Sequence, residues 1–108
     1  MNTVQAITQT GLLSTASLAD ILGTTERSVQ RWARGDWEPR RDVLDHLLEV
    51  KAVTDLAGQV MDRAARLWLR SPVEALGYDK PVNLLRDREY RRVIDALTAL
   101  SDTRRSHE

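Results

Sequence analysis

The stretch Ser17–Pro39, SLADILGTTERSVQRWARGDWEP, decides the fold. Leu18 and Leu22, and Val29 and Trp32, stand at four- and three-residue intervals, the period of a helix and not of a strand. A helix starting near Ser17, where Ser17 and Asp20 have the spacing of a capping box, is stopped by Gly23. Thr24 and Thr25 supply the next N-cap, and a further helix runs from Glu26 to about Arg34, where Gly35 ends it and Asp36 to Pro39 turn the chain. Two helices that cross steeply need a small residue at the contact, a glycine in the turn and apolar residues facing back. Ala19, Gly23, and Val29 with Trp32 meet those needs.

Working outward, a short helix over Thr3–Thr10 turns Val4 and Ile7 inward before the breaker Gly11. From Asp42, the residues Leu44, Leu47, Leu48, Val53, Leu56, Ala57 and Val60 describe one long helix with an apolar stripe, which Gly58 is placed to kink. A helix carrying Ala64, Ala65, Leu67, Trp68 and Leu69 follows, with Trp68 read as a core anchor among them. Ser71-Pro72 and Gly77 then bracket a single turn. Pro81 opens a short helix through Leu85, and a last helix from about Arg88 to Leu100 sets Tyr90, Val93, Ile94, Leu97 and Leu100 on one face. The remaining Ser101 to Glu108 is polar and is expected to fray. The fold class is all-α with no sheet, divided as residues 1–41, a connecting helix over 42–60, and residues 61–108.

Composition limits what such a chain does. With 108 residues, 42% hydrophobic and 30% charged, it can bury one core under a solvated surface, and two halves are expected to share that core. Sixteen basic and sixteen acidic residues cancel, so any contact with nucleic acid must come from a local patch. There is no cysteine, and His46 and His107 stand far apart, which argues against a metal centre. No apolar run approaches membrane-spanning length and no leader-like start is visible, so a cytoplasmic location without membrane contact is expected. No nucleophile–histidine pair, glycine-rich phosphate loop or convergent carboxylate cluster suggests catalysis, and no cofactor is expected. Asp42, Asp45 and Glu49 read as solvating residues, and His46 as a surface histidine.

With Val29 and Trp32 facing the core, Thr25, Arg27, Gln30, Arg31 and Arg34 fall on the outward side of the second helix. Arginine pairs with guanine O6 and N7 and glutamine with adenine N6 and N7, so Arg27, Gln30 and Arg31 are candidates to read bases. Thr25, Arg34, Arg40 and Arg41 are candidates for the phosphate backbone, while Glu26, Asp36 and Glu38 repel it. The segment from about Ser14 to Pro39 resembles the helix-turn-helix of Xre/Cro-like repressors, and Trp32-Ala33-Arg34-Gly35-Asp36-Trp37-Glu38-Pro39 is similar to that family's exit from its recognition helix.

From Met61 onward the order Ala65-Arg66-Leu67-Trp68-Leu69, Ser71-Pro72, Leu76, Lys80-Pro81, Leu84-Leu85-Arg86-Asp87 and Tyr90-Arg91-Arg92-Val93 resembles the toxin-binding domain of the Xre/MbcA/ParS antitoxins. Two positions depart from the family pattern: Val73 stands where asparagine is usual, and Arg88 where a glycine precedes the closing helix. The resemblance implies a non-enzymatic antitoxin of a type II system, forming a hetero-oligomer with a co-produced RES-domain toxin that destroys NAD. Its C-terminal part would cover the toxin's active-site entrance, and its front domain would bind and repress its own promoter DNA. The basic residues Lys80, Arg86, Arg88, Arg91, Arg92, Arg104 and Arg105, with Tyr90 packing its ring and presenting its hydroxyl, are the candidates for meeting an acidic toxin cleft. The competing reading is a stand-alone helix-turn-helix regulator whose back half serves dimerisation.

Overall fold

The computed structural model describes residues 2–106, with side chains through Thr103, and every element in it is a helix or a helical turn. Helices α1 (Thr3–Gln9), α2 (Thr15–Leu22), α3 (Glu26–Arg34) and α4 (Arg41–Met61) are followed by α5 (Ala64–Leu69), a 3₁₀ turn at Glu74–Leu76, α6 (Pro81–Arg86) and α7 (Tyr90–Ser106). The extended pairing among the described residues is a single antiparallel bridge between Val73 and Asp79. The all-α expectation is met.

Local chemistry sets most of the boundaries. Asn2 caps α1 in a full capping box with Gln5, and its amide also donates to the carbonyl oxygens of Trp32 at 2.8 Å and Ala33 at 2.9 Å, tying the start of α1 to the end of α3. The α2 cap is Ser14 and not the region of Ser17: the Ser14 hydroxyl accepts from the Ser17 amide at 3.1 Å, so Ser17 sits three residues inside the cap. Gly23 takes the left-handed conformation, φ 69°, which turns α2 into α3. The Thr25 hydroxyl accepts from the Ser28 amide at 3.1 Å and opens α3 as expected.

The long helix α4 runs from Arg41 to Met61 without being interrupted at Gly58. A Cβ at that glycine would meet Leu12 Cδ1 at 3.6 Å, ordinary contact, so the residue marks close packing against the chain after α1. The buried face of α4 passes through His46, Leu47, Val50, Val53, Thr54, Ala57 and Val60. Leu44 and Leu48, assigned inward by sequence, are 37% and 48% exposed instead. The rest of the stripe is as read, with Leu47, Val53, Ala57 and Val60 buried and Leu56 packed against the core, and Leu44 and Leu48 fall outside it because α1, α2, α5 and α7 together determine how much of α4 is covered. Similarly, α5 buries Ala65 and Leu69, half-buries Trp68 and turns Leu67 to solvent. Trp32 is likewise packed against the core without being enclosed by it.

A single hydrophobic cluster joins Val4, Leu18 and Val29 at the front to Leu69, Leu84 and Leu97 at the back. α2 packs on α6, and the exposed Arg86 guanidinium reaches Asp20 at 3.4 Å across that seam. The two halves therefore share one core, and α4 lies against elements of both. The last helix extends through Ser106, beyond the expected end at Leu100. His107 lies outside the described residues.

Candidate functional site

Charged groups gather on two outward surfaces. At the front, α3 buries Val29 completely while Thr25, Glu26, Arg27, Gln30 and Arg34 are exposed and Arg31 is half-buried. The geometry follows from helical period: with Val29 at the contact with α2, the residues two positions to either side, Arg27 and Arg31, lie on the far side of the helix. Arg40 and Arg41, at the start of α4, are exposed as well. Arg34 Nε is engaged at 3.1 Å by Asp36, an ion pair both of whose partners are largely solvated. The Thr25 hydroxyl is already committed to capping and also donates to Ser28 Oγ at 3.1 Å, which limits what it can offer a phosphate.

At the back, Lys80, Arg86, Arg88, Arg91 and Arg92 are all exposed. Arg91 lies 4.0 Å from Asp95 and Arg92 lies 3.5 Å from Glu89, so their charge is partly balanced along the helix. The Arg104 and Arg105 side chains lie outside the described residues, although the backbone there continues α7. Arg88, which stands where the family pattern has glycine, adopts φ 62°, the left-handed geometry a glycine would adopt at no cost. The turn into α7 is kept and its side chain is added to the basic surface.

Tyr90 departs from expectation. Its hydroxyl is buried beside Arg88, and its ring packs edge-on against His46 at 5.5 Å between centroids. Burial pushes the phenol above its usual range, with Arg88 acting in the opposite direction. Tyr90 thus seats the start of α7 and does not present its hydroxyl on the surface.

His46 is the larger correction. Expected at the surface, it is buried, and its Nε2 lies 2.7 Å from the Leu85 carbonyl oxygen at the end of α6. A carbonyl only accepts, so Nε2 carries the proton. Burial holds the imidazole below its usual range, the Leu85 contact opposes this, and the nearby Arg88 charge reinforces it. Sequence reasoning also passed over Tyr78, which is 67% exposed at φ 66°, and Trp37, which is 62% exposed beside Pro39. For Tyr78 the available signal was an aromatic directly after Gly77 in a short polar turn.

Among the described residues, no group of three or more His, Asp or Glu side chains is placed to hold a metal ion, and no helix is long and apolar enough to cross a membrane. Carboxylates, arginines and exposed apolar groups lie on outward faces of a small all-helical protein whose front helix pair and proline-divided back share one core. Residues 52–102 match the family described as the antitoxin Xre/MbcA/ParS C-terminal toxin-binding domain. The mycobacterial cidal antitoxins MbcA of Mycobacterium tuberculosis and Mycobacterium bovis are each 36% identical to the chain over 91 residues, 83% of this chain and 80% of theirs. A chain of the crystal structure of the M. tuberculosis MbcT-MbcA toxin-antitoxin complex matches with a TM-score of 0.84 and 33% identity, covering 94% of this chain and 92% of that one. The chain belongs to the Xre/MbcA/ParS antitoxin family.

Proposed function

We propose that the chain is an antitoxin that binds and neutralises a cognate toxin protein, and that it has no catalytic activity of its own. The observation that carries this reading is the likeness along nearly the whole chain to a component of the MbcT-MbcA complex, joined to the toxin-binding-domain match over residues 52–102. Residues 61–108 form the toxin-binding part, 42–60 the connecting helix, and 1–41 a helix-turn-helix. The toxin is of the RES-domain, NAD-degrading class, and the antitoxin acts by standing over the active-site entrance. Lys80, Arg86, Arg88, Arg91 and Arg92 offer the basic face, Arg104 and Arg105 are further candidates by sequence, and Tyr90 holds the start of α7 from beneath. The single shared core supports this arrangement, because a rigid back half presents its surface without being reordered on binding.

The front helix pair binds the chain's own promoter. Arg27, Gln30 and Arg31 read bases, and Arg34, Arg40 and Arg41 contact phosphates, with Thr25 placed at the helix N-terminus beside them. Support comes from the left-handed Gly23 turn, the buried Val29 and the outward arginines. The acidic neighbours Glu26, Asp36 and Glu38 favour a weak single contact that tightens when two copies are held together in a complex.

Co-purification of the chain with the product of the adjacent reading frame tests the first part, and a band-shift titration of promoter DNA with the purified complex tests the second. A stable complex and a shifted promoter are expected. A chain that binds promoter DNA yet captures no neighbouring protein would favour a stand-alone regulator.

A further inference from the structure

We infer that Tyr78 is the apolar anchor by which this chain grips its toxin, its ring entering an apolar pocket whose carboxylate rim meets Lys80, Arg86 and Arg92. The inference rests on the toxin-binding reading above and names a contact within it. Tyr78 is among the most exposed large apolar side chains described, at 67%. It is also held where a tyrosine is disfavoured: its φ is 66°, directly after Gly77 at φ 65°. A bulky residue there costs free energy that a second glycine would avoid, and such strain collects at positions whose side chain is needed by a partner.

The surroundings fix the backbone that carries the ring. The Tyr78 amide donates to the Val73 carbonyl at 2.9 Å, and the Val73 amide donates to the Asp79 carbonyl at 3.1 Å, closing the loop on both sides of the residue. Arg92 Nη2 donates to the Leu76 carbonyl at 3.5 Å, fastening the loop to α7. Asp79 Oδ1 accepts from the Lys80 amide at 2.8 Å and from Asn83 Nδ2 at 3.0 Å, fastening it to α6. An aromatic presented on so constrained a backbone loses little freedom on binding.

Charge supplies the kind of partner. The Asp79 carboxyl is held below its usual range first by Asn83 and the Lys80 amide, and least by the Arg92 and Arg86 charges, which places both guanidiniums near the residue that follows Tyr78. Lys80 has no ion-pair partner among the described residues. An aromatic centre with a basic rim suits a protein pocket that is apolar within and acidic at its edge.

The test measures affinity of the full chain for the toxin encoded by the adjacent frame, together with thermal melting, for the wild type, Tyr78→Phe and Tyr78→Gly. Tyr78→Phe should bind within about two-fold of wild type, since the hydroxyl is not the anchor. Tyr78→Gly should bind about ten-fold or more weakly while melting no lower than wild type, because glycine suits the left-handed turn. Wild-type affinity in Tyr78→Gly would overturn the inference, as would a melting temperature that falls along with affinity, which would make the ring structural. A wild-type chain that fails to bind the toxin would instead remove the toxin-binding reading itself.

Discussion

The Nε2 of His46, midway along the buried face of α4, donates to the carbonyl oxygen of Leu85 at 2.7 Å, where α6 ends. Tyr90 closes over the imidazole edge-on, so one side chain from the connecting helix orders the junction from which the last helix departs. The buried Leu85 carbonyl also accepts from the Arg88 amide at 3.1 Å, so replacing His46 removes one of its two donors. His46→Leu should destabilise the fold by about 0.5–1.5 kcal/mol, measured by urea unfolding near neutral pH. An unchanged midpoint would show that the contact contributes nothing.

The same histidine predicts a pH dependence. Its folded pKa lies below its ordinary value of 6.5, so below that value the unfolded chain binds the proton more readily than the folded one. His46 therefore contributes stability that is complete above 6.5 and is lost progressively as the pH falls toward its folded pKa. Wild type should lose stability as the pH falls through 6.5 and below, and His46→Leu should lose less over the same fall. Equal slopes in the two proteins would place the titration elsewhere.

Asn2 joins the first helix to the end of the third through its two amide contacts with Trp32 and Ala33, besides capping α1 through its side-chain oxygen. Asn2→Ala removes a cap and leaves two carbonyls at the α3 terminus without this donor. A loss of about 1–2 kcal/mol is expected from thermal or urea unfolding. A change of less than a few tenths would mean that water replaces the amide fully.

Much of the front half was legible because its determinants are local. Gly23, Thr25 and Gly35 each act on the few residues beside them, and the structure places α3 where those residues predict. The cap of α2 was misplaced because Ser14 and Ser17 are the same residue type three positions apart, and only the backbone shows which one leaves the helix. His46, Leu44 and Leu48 were misassigned for another reason: their burial depends on helices distant in sequence, and hydrophobic period fixes a spacing without fixing which face is covered. For Tyr90, amphipathic spacing indicated a packed ring, but the depth of the hydroxyl is set by His46 across the junction. Among the basic residues, sequence located the clusters; it did not show which ones Asp20, Asp36 and Glu89 partly balance.

Arg88 carries backbone strain at the entry to α7, with φ 62° in a side-chain-bearing residue. Arg88→Gly should raise stability by roughly 0.5–1 kcal/mol, the relief of left-handed strain outweighing the freedom a glycine adds to the unfolded chain. Differential scanning calorimetry would read this as a higher melting temperature. A lower one would mean that the arginine side chain, near Tyr90, holds the junction more than its backbone strains it.

On the front surface, Arg27 is exposed and Arg31 half-buried on the outward side of α3. If they read bases, replacing each by alanine should weaken promoter binding by about 1–3 kcal/mol at fixed salt. Toxin capture by the same variants should be unchanged, since the back half is untouched. Full operator affinity in the double variant would remove α3 as the recognition helix.

If this chain silences a toxin by binding it, titrating the purified neighbouring toxin with the chain should read that out as NAD consumption. NAD loss should decline in proportion to added antitoxin and cease at a fixed stoichiometric ratio. NAD consumption that continues at its full rate in the presence of excess folded chain would mean that the chain does not neutralise this toxin.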